Sequence, residues 1–326
     1  MIGGSRLDPR PVLFVTNHAP AFRVGAFAAL HARQDVVFAL IGGDVRHGGE
    51  LERDAALPFP VVRAPERGVA RLAASGRFRA VVAGLSYLPL RHLYRHADAI
   101  ATYGPHVSAY VRGKGARGPV TEAPQSVDDA FWSAPATPRR VAPFQAMFAG
   151  RLEGEKGLSV LLDAWHATRL PVSDRALVLA GDGPIRARAV AQGALAPGRL
   201  PATEVRDFYA GSDVVVVPSV PTRDFLEPWG LVVNEAFDQG VPVIATTAVG
   251  AAAGGLVVHE RTGLVVPAGD AAALAAALRR LHGDPDLRAR LGAEGRAAVA
   301  HGYSHADWAG GMARALEAAG AGKDGC

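Results

Sequence analysis

Short apolar runs recur along the chain, each followed by a break rich in Gly or Pro and then by apolar residues at helical spacing. Pro11 to Thr16 (PVLFVT) reads as a buried first strand, with Asn17-His18-Ala19-Pro20 as its exit loop. A helix from Phe22 to His31 and a strand from Val36 to Ile41, closed by Gly42-Gly43, come next. Pro60 to Val62 and Ala80 to Val82 read as further strands, with a helix near Val69 to Ser75 between them. The spacing then predicts a helix over Leu88 to His96, a strand over Ala97 to Thr102 and a helix over His106 to Gly113. Residues 121–143, with four prolines and few periodic apolar positions, read as an interdomain linker.

The alternation restarts after the linker. Strands are expected at Gln145 to Ala149, Ala176 to Ala180, Asp213 to Pro218, Pro242 to Thr246 and Gly263 to Val266. Helices are expected at Leu158 to Thr168, Val205 to Ala210, Ala271 to Leu281, Pro285 to Val299 and His305 to Ala318. Strands alternating with helices imply parallel sheets whose ligands bind beyond the carboxyl ends of the strands. The fold class is therefore α/β, with two doubly wound Rossmann-like domains facing a cleft. The domains expected are 1–142 and 143–303, with residues 304–326 forming a helix that packs back toward the first domain through Trp308, Met312 and Leu316, then a frayed tail.

One stretch, Phe225 to Gly240, breaks the regular pattern. Pro228 and Gly230 suit a helix entrance, Gly240 suits its end, and two carboxylates flank or enter the apolar run: Glu227 before it, Glu235 within it. A carboxylate among Leu231, Val232, Ala236 and Phe237 is unfavourable unless hydrogen-bonded. The plain alternative is one capping and one snorkelling glutamate. The sharper reading is a ligand site, in which helix-start N–H groups meet an anion and both carboxylates accept hydroxyls, as a sugar nucleotide would offer. Arg151 and Lys156 flank a Gly-rich strand-to-helix turn, where a guanidinium fork and an ammonium can converge on phosphate. Lys156 is notable as one of three lysines in a chain with 35 basic residues. Gly181 and Gly183 close another strand and are candidates for a nucleotide loop, although many such loops simply end strands.

Composition narrows the classes. The chain has 326 residues, 49% hydrophobic and 20% charged, enough for two cored domains. Its only cysteine, Cys326, rules out an internal disulfide or a cysteine metal site and fits a reducing compartment. No signal-peptide pattern or spanning segment is visible, so a cytoplasmic location is expected. Residues 1–142 carry 18 basic and 11 acidic side chains, whereas the remainder is net acidic. The basic half is compatible with an anionic acceptor, with peripheral contact at the inner membrane face, or with an arginine-rich solvated surface. No basic stripe with interleaved aromatics appears, which excludes a nucleic-acid reader.

Taken in order, FAGRLEGEKG (148–157), LVLAGDGP (177–184), SDVVVVPS (212–219), EPWGLVVNEA (227–236), GVPVIAT (240–246) and GLVVPAGD (263–270) resemble the retaining glycosyltransferases of the GT-B fold, family 4. The resemblance covers about residues 143–318, and the Glu227/Glu235 pair is its most specific part. It implies a donor diphosphate held by Arg151, Lys156 and the amides of Gly230, Leu231 and Val232. It further implies ribose hydroxyls on Glu235, the transferred sugar against Glu227, and no metal or other cofactor. The activity implied is a hexosyl transfer (EC 2.4) from a nucleoside-diphosphate sugar to an unknown acceptor, by attack on the face the diphosphate leaves.

The N-terminal half departs from that pattern. Relatives carry a helix, a strand and a loop with a sugar-contacting histidine where this chain has only the few residues from Gly84 to Leu90. A parallel crossover needs a dozen or more residues, so the N-terminal domain is expected to be truncated. His18 is the candidate to replace the missing catalytic histidine, with His106 as the other option; His18 also reads as an ordinary surface-loop histidine. Truncation keeps a second function open, a sugar-nucleotide-binding protein that no longer transfers.

Overall fold

A computed structural model describes residues 10–16, 21–40, 57–64, 66–83, 94–223 and 225–321. The chain divides into two compact units, residues 1–128 with 305–326, and residues 129–304.

In the first unit, strands β1 (Val12–Thr16), β2 (Val36–Leu40), β3 (Val61–Arg63) and β4 (Ala80–Ala83) form a parallel sheet in the order β3-β2-β1-β4. Helix α1 (Ala21–Arg33) links β1 to β2, and α2 (Glu66–Ala73) links β3 to β4. Strands β5 (Ile100–Thr102) and β6 (Val120–Glu122), joined by helix α3 (Pro105–Gly113), make a separate two-stranded parallel sheet. Sequence alone predicts a linker over residues 121–143. Instead, Val120–Glu122 pairs with β5, and the division between units falls at Asp128/Asp129. Three residues of β structure are too few to show a period, which is why β6 was not legible. The exit loop with His18, the Gly42-Gly43 stop and the short join at 84–90 lie outside the described residues.

The last helix, His305–Ala321, completes the first unit by lying along α1 and β6. Trp308 is 4% exposed and sits with Phe14, Phe27, Phe38 and Phe59 in one aromatic cluster. Its ring centroid lies 5.8 Å from Phe27 and 6.3 Å from Phe14, tilted in both cases, an arrangement favoured by the ring quadrupoles. Gly25 on α1 leaves room for His305, whose ring would come within 2.4 Å of an added Cβ.

The second unit opens with the short helix α4 (Asp129–Trp132) and holds one six-stranded parallel sheet. Its strands are β7 (Phe144–Ala149), β8 (Arg175–Ala180), β9 (Leu195–Gly198), β10 (Val214–Val217), β11 (Val243–Thr246) and β12 (Gly263–Val266). They run in the order β12-β11-β10-β7-β8-β9. The strand Leu195–Gly198 was not expected from sequence. It is an edge strand containing Pro197, paired to β8 through a register shift, and edges are where strand proline is tolerated. Helices α5 (Leu158–Ala167), α6 (Arg186–Ala191), α7 (Ala202–Ala210), α8 (Val232–Asp238), α9 (Gly250–Ala253), α10 (Ala271–Gly283) and α11 (Pro285–Ala300) connect or flank the strands. Asp270 caps α10 by accepting from the Ala273 N–H, and Asp284 caps α11 from Leu287 with Pro285 in the first turn. β10, four valines buried on both faces, lies between β7 and β11 as a central parallel strand must.

Replacing Trp308 by Ala should destabilise the first unit by about 3–5 kcal/mol through the cavity left among the phenylalanines. Denaturant unfolding monitored by fluorescence checks this; an unchanged midpoint would show that the last helix is not part of that core.

Candidate functional site

β7 begins the second unit's sheet, with β8 on one side and β10 on the other. The gap between β7 and β10 at their carboxyl ends is therefore the topological switch point, where doubly wound sheets bind ligands. The loops leaving these strands press backbone against backbone. Gly157 (φ +73°), before α5, lies so near the Pro218 carbonyl that an added Cβ would stand 1.9 Å from its oxygen. The Val220 N–H donates to the Glu155 carbonyl at 3.0 Å, tying the same two loops together. Alongside, Gly181 (φ +150°) meets the Gly150 carbonyl at an equally forbidden 1.8 Å for a Cβ, and the Leu152 N–H donates to the Asp182 carbonyl. These glycines are required by contact between loops as well as by backbone conformation.

The loop after β10 then crosses to β11. Glu227 forms an isolated parallel bridge with Val249, and its carbonyl accepts from the Gly250 N–H at 3.0 Å. The Trp229 carbonyl accepts from Ala251, and the Trp229 indole N–H donates to Asn234 Oδ1 at 2.8 Å. Gly230 turns with φ +87° into Leu231 and Val232, and Gly240 (φ +71°) stops α8 in the left-handed conformation. The Pro-Trp-Gly turn is thus anchored from both sides before the helix begins.

This scaffold brings Lys156 and Glu227 together. Lys156 Nζ lies 2.5 Å from Glu227 Oε2, and the buried Ser219 hydroxyl donates to the same oxygen at 2.9 Å. The ammonium also stands 5.0 Å from the Phe225 ring centroid, a cation–π placement. With side chains 17% and 8% exposed, the pair is largely withdrawn from water, and removing either partner would strand the other charge. Arg151 is more open and pairs with Glu153 and Glu155 of its own turn. Ser219 is in turn fixed by Thr246, whose hydroxyl donates to the Ser219 carbonyl at 2.6 Å.

Glu235 is held differently. It lies in α8 between buried residues, and Tyr209 of α7 donates its phenol hydrogen to Oε2 at 2.8 Å. Burial raises the carboxyl to about 7 and the Tyr209 hydrogen bond opposes the rise. Asp238, one turn on, is also raised to about 7, by burial first and then by the charge of Asp129, with Arg296 opposing. The two glutamates of the motif thus occupy distinct environments, one neutralised by an ammonium and one held by a phenol.

Gly181 and Gly183 end β8 beside the Gly150–Leu152 turn, so both Gly-rich loops share one end of the sheet. His106 belongs to the other unit, on α3, with its ring edge-on to Tyr103 and its pKa lowered by burial against the opposing charge of Glu122. His18 lies outside the described residues. Sequence reasoning missed Ser219 and Tyr209. The available signal was weak: a serine just past a buried strand, and a tyrosine inside the helix preceding it.

The comparisons with known proteins bear on this unit. Residues 143–284 match the sequence model of the family described as glycosyl transferases group 1. The matched segment contains the switch-point loops and both glutamates. Glycogen synthase of Mycobacterium tuberculosis is 30% identical over 197 residues, covering 58% of this chain and 45% of that protein. D-inositol 3-phosphate glycosyltransferase of Pseudarthrobacter chlorophenolicus is 35% identical over 166 residues, 46% of this chain and 37% of that protein. The chain therefore spans less than half the length of these curated relatives. Among solved structures, HepE of Anabaena, in complex with UDP and glucose, aligns over 94% of this chain and 99% of its own with TM-score 0.69 at 16% identity. Sucrose-phosphate synthase of Thermosynechococcus elongatus aligns over 96% and 99% with TM-score 0.70 at 19% identity. The fold is the GT-B type, built from α/β units with parallel sheets.

The raised carboxyls have a consequence for stability. Asp238 binds its proton more tightly folded than unfolded, so its contribution to stability is fully present below the ordinary carboxyl range and is lost as pH rises toward 7. Asp238→Asn should flatten that fall and stabilise the second unit at pH 8 by on the order of 3 kcal/mol. Chemical denaturation at pH 5 and pH 8 tests it; equal slopes in both proteins would refute it.

Proposed function

We propose that the chain is a retaining glycosyltransferase of family 4 that moves a sugar from a nucleoside-diphosphate sugar to an acceptor without a metal. The observation that carries this reading is the meeting of Lys156 and Glu227 at the β7/β10 switch point, with Arg151 on the same turn as Lys156. The relatives support it: those named above are called synthases or glycosyltransferases, and the HepE structure holds UDP and glucose.

In this reading Arg151 and Lys156 take the diphosphate, aided by the amides of Gly230, Leu231 and Val232. Gly181 and Gly183 allow the nucleotide to lie close to the backbone. The bond between the anomeric carbon and the phosphate oxygen breaks while the acceptor oxygen enters on the same face. The departing phosphate oxygen takes the acceptor's proton, and charge growing on the diphosphate is held by the guanidinium and the ammonium. Two fixed cationic side chains supply the charge compensation that a divalent ion supplies elsewhere. Glu227 accepts a hydroxyl of the transferred sugar and Glu235 the ribose. Donor arrival therefore gives Lys156 a second anionic partner beside Glu227.

The N-terminal domain is part of the proposal as a truncated acceptor domain, with His18 as its candidate catalytic histidine. Support comes from the sequence, where only the residues from Gly84 to Leu90 stand between one strand and the helix expected after it. No helix among the described residues is long and apolar enough to cross a membrane. We place the protein in the cytoplasm, with its basic N-terminal half able to meet the inner membrane face.

Calorimetry against UDP, GDP, ADP and dTDP tests the donor site. One of them should bind at micromolar strength, and Arg151→Ala should weaken it by about ten-fold or more. Binding of none would end the reading. With the cognate sugar nucleotide, Glu227→Gln should lower turnover by at least about a hundred-fold while leaving nucleoside-diphosphate affinity within a few-fold.

A further inference from the structure

Among the described residues Tyr209 is the one phenol buried completely, at 0% exposure, and its hydroxyl points at a carboxylate in place of a backbone carbonyl. That carboxylate, Glu235, keeps part of its own surface accessible and has no other hydrogen-bond partner among the described residues. One oxygen is committed to Tyr209 and the other is uncommitted. A phenol is a directional single donor. Rotation of the carboxylate about its terminal bond is therefore stopped by one hydrogen bond, with the second oxygen left to accept from a ligand. The ring is itself locked: Trp132 stands edge-on at 5.9 Å, and Gln239 donates to the Trp132 carbonyl and, at 3.2 Å, to that of Ala134.

We propose that Tyr209 is the positioning residue of the nucleoside end of the site, orienting Glu235 so that its uncommitted oxygen accepts a vicinal ribose diol, most strongly when the carboxyl is ionised. This rests on the donor-site reading above and adds to it a residue and a regulation. When ionised, Glu235 accepts at both oxygens, one from Tyr209 and one from the ligand. When protonated, it loses much of its strength as an acceptor, and a charge-assisted contact becomes a neutral one. The phenol stays a donor throughout, because burial, reinforced by Glu235, holds its own ionisation well above the ordinary range. Burial sets the titration of Glu235 and the Tyr209 hydrogen bond from α7 opposes it; the charge of Glu235 in turn acts on Asp238 of α8, which also faces Asp129 of α4 and Arg296 of α11. With Glu235 at about 7, the diol contact strengthens as pH rises through neutrality.

The test compares whichever of UDP, GDP and ADP binds with its 2′,3′-dideoxy counterpart, by calorimetry from pH 6 to pH 8. The ratio of the two affinities cancels phosphate ionisation and any general loss of packing. Wild type should prefer the ribonucleotide by about ten-fold at pH 8, less at pH 6, with a midpoint near neutrality. Tyr209→Phe, which keeps the ring against Trp132, should cut that preference to about three-fold or less and move the midpoint upward, with dideoxy affinity unchanged. Glu235→Gln should abolish the pH dependence of the ratio, and this holds as a check even where the Phe variant folds poorly. A full preference with an unmoved midpoint in Tyr209→Phe overturns the proposal while leaving the donor site standing, as Arg151→Ala would show. Absence of nucleotide binding in wild type overturns both.

Discussion

The second unit is organised by how closely two loops approach at the carboxyl ends of β7 and β10. Gly157 and the Pro218 carbonyl leave no space for a side chain between them. That approach draws the turn bearing Lys156 up to the strand end that carries Ser219, and so determines that an ammonium faces Glu227. A wider turn would leave the glutamate buried without a counter-charge, and the loop would have to open to water. Backbone crowding, more than any single side chain, therefore decides the site's geometry.

Much of this could be read from the chain before folding. The switch from β-period to helical period marked every strand of the central sheet except β9, and Pro-Trp-Gly followed by an apolar run marked the entrance to α8. What was illegible depended on distance in sequence. Ser219 reaches Glu227 across one loop and Tyr209 reaches Glu235 across a strand. Neither spacing has a local signature, because the contacts exist only once β10 lies between its neighbours. Short strands at a sheet edge, such as Leu195–Gly198 and Val120–Glu122, lack the length over which alternation becomes visible. The loop with His18 and the join at 84–90 are outside the described residues, so sequence remains the guide there.

The two carboxylates show how one motif yields two electrostatic roles. Glu227 sits beside a fixed cation and a hydroxyl. Glu235 has only a neutral donor, so desolvation governs it. Residues eight positions apart on one loop and helix thus meet different partners, a turn and a strand end for Glu227 and a helix for Glu235. The motif specifies the positions, and the fold assigns the chemistry.

The last helix belongs to the first unit although the whole second unit precedes it in the chain. During synthesis, residues 129–304 are contiguous and can close their sheet as soon as they emerge. The first unit cannot: its aromatic cluster waits for Trp308, which follows the whole of the second unit. The first unit is therefore the one completed last, the opposite of the N-terminal-first order usual in vectorial synthesis. Phe14, Phe27 and Phe38 stay without their final neighbour until residues 129–304 have been made.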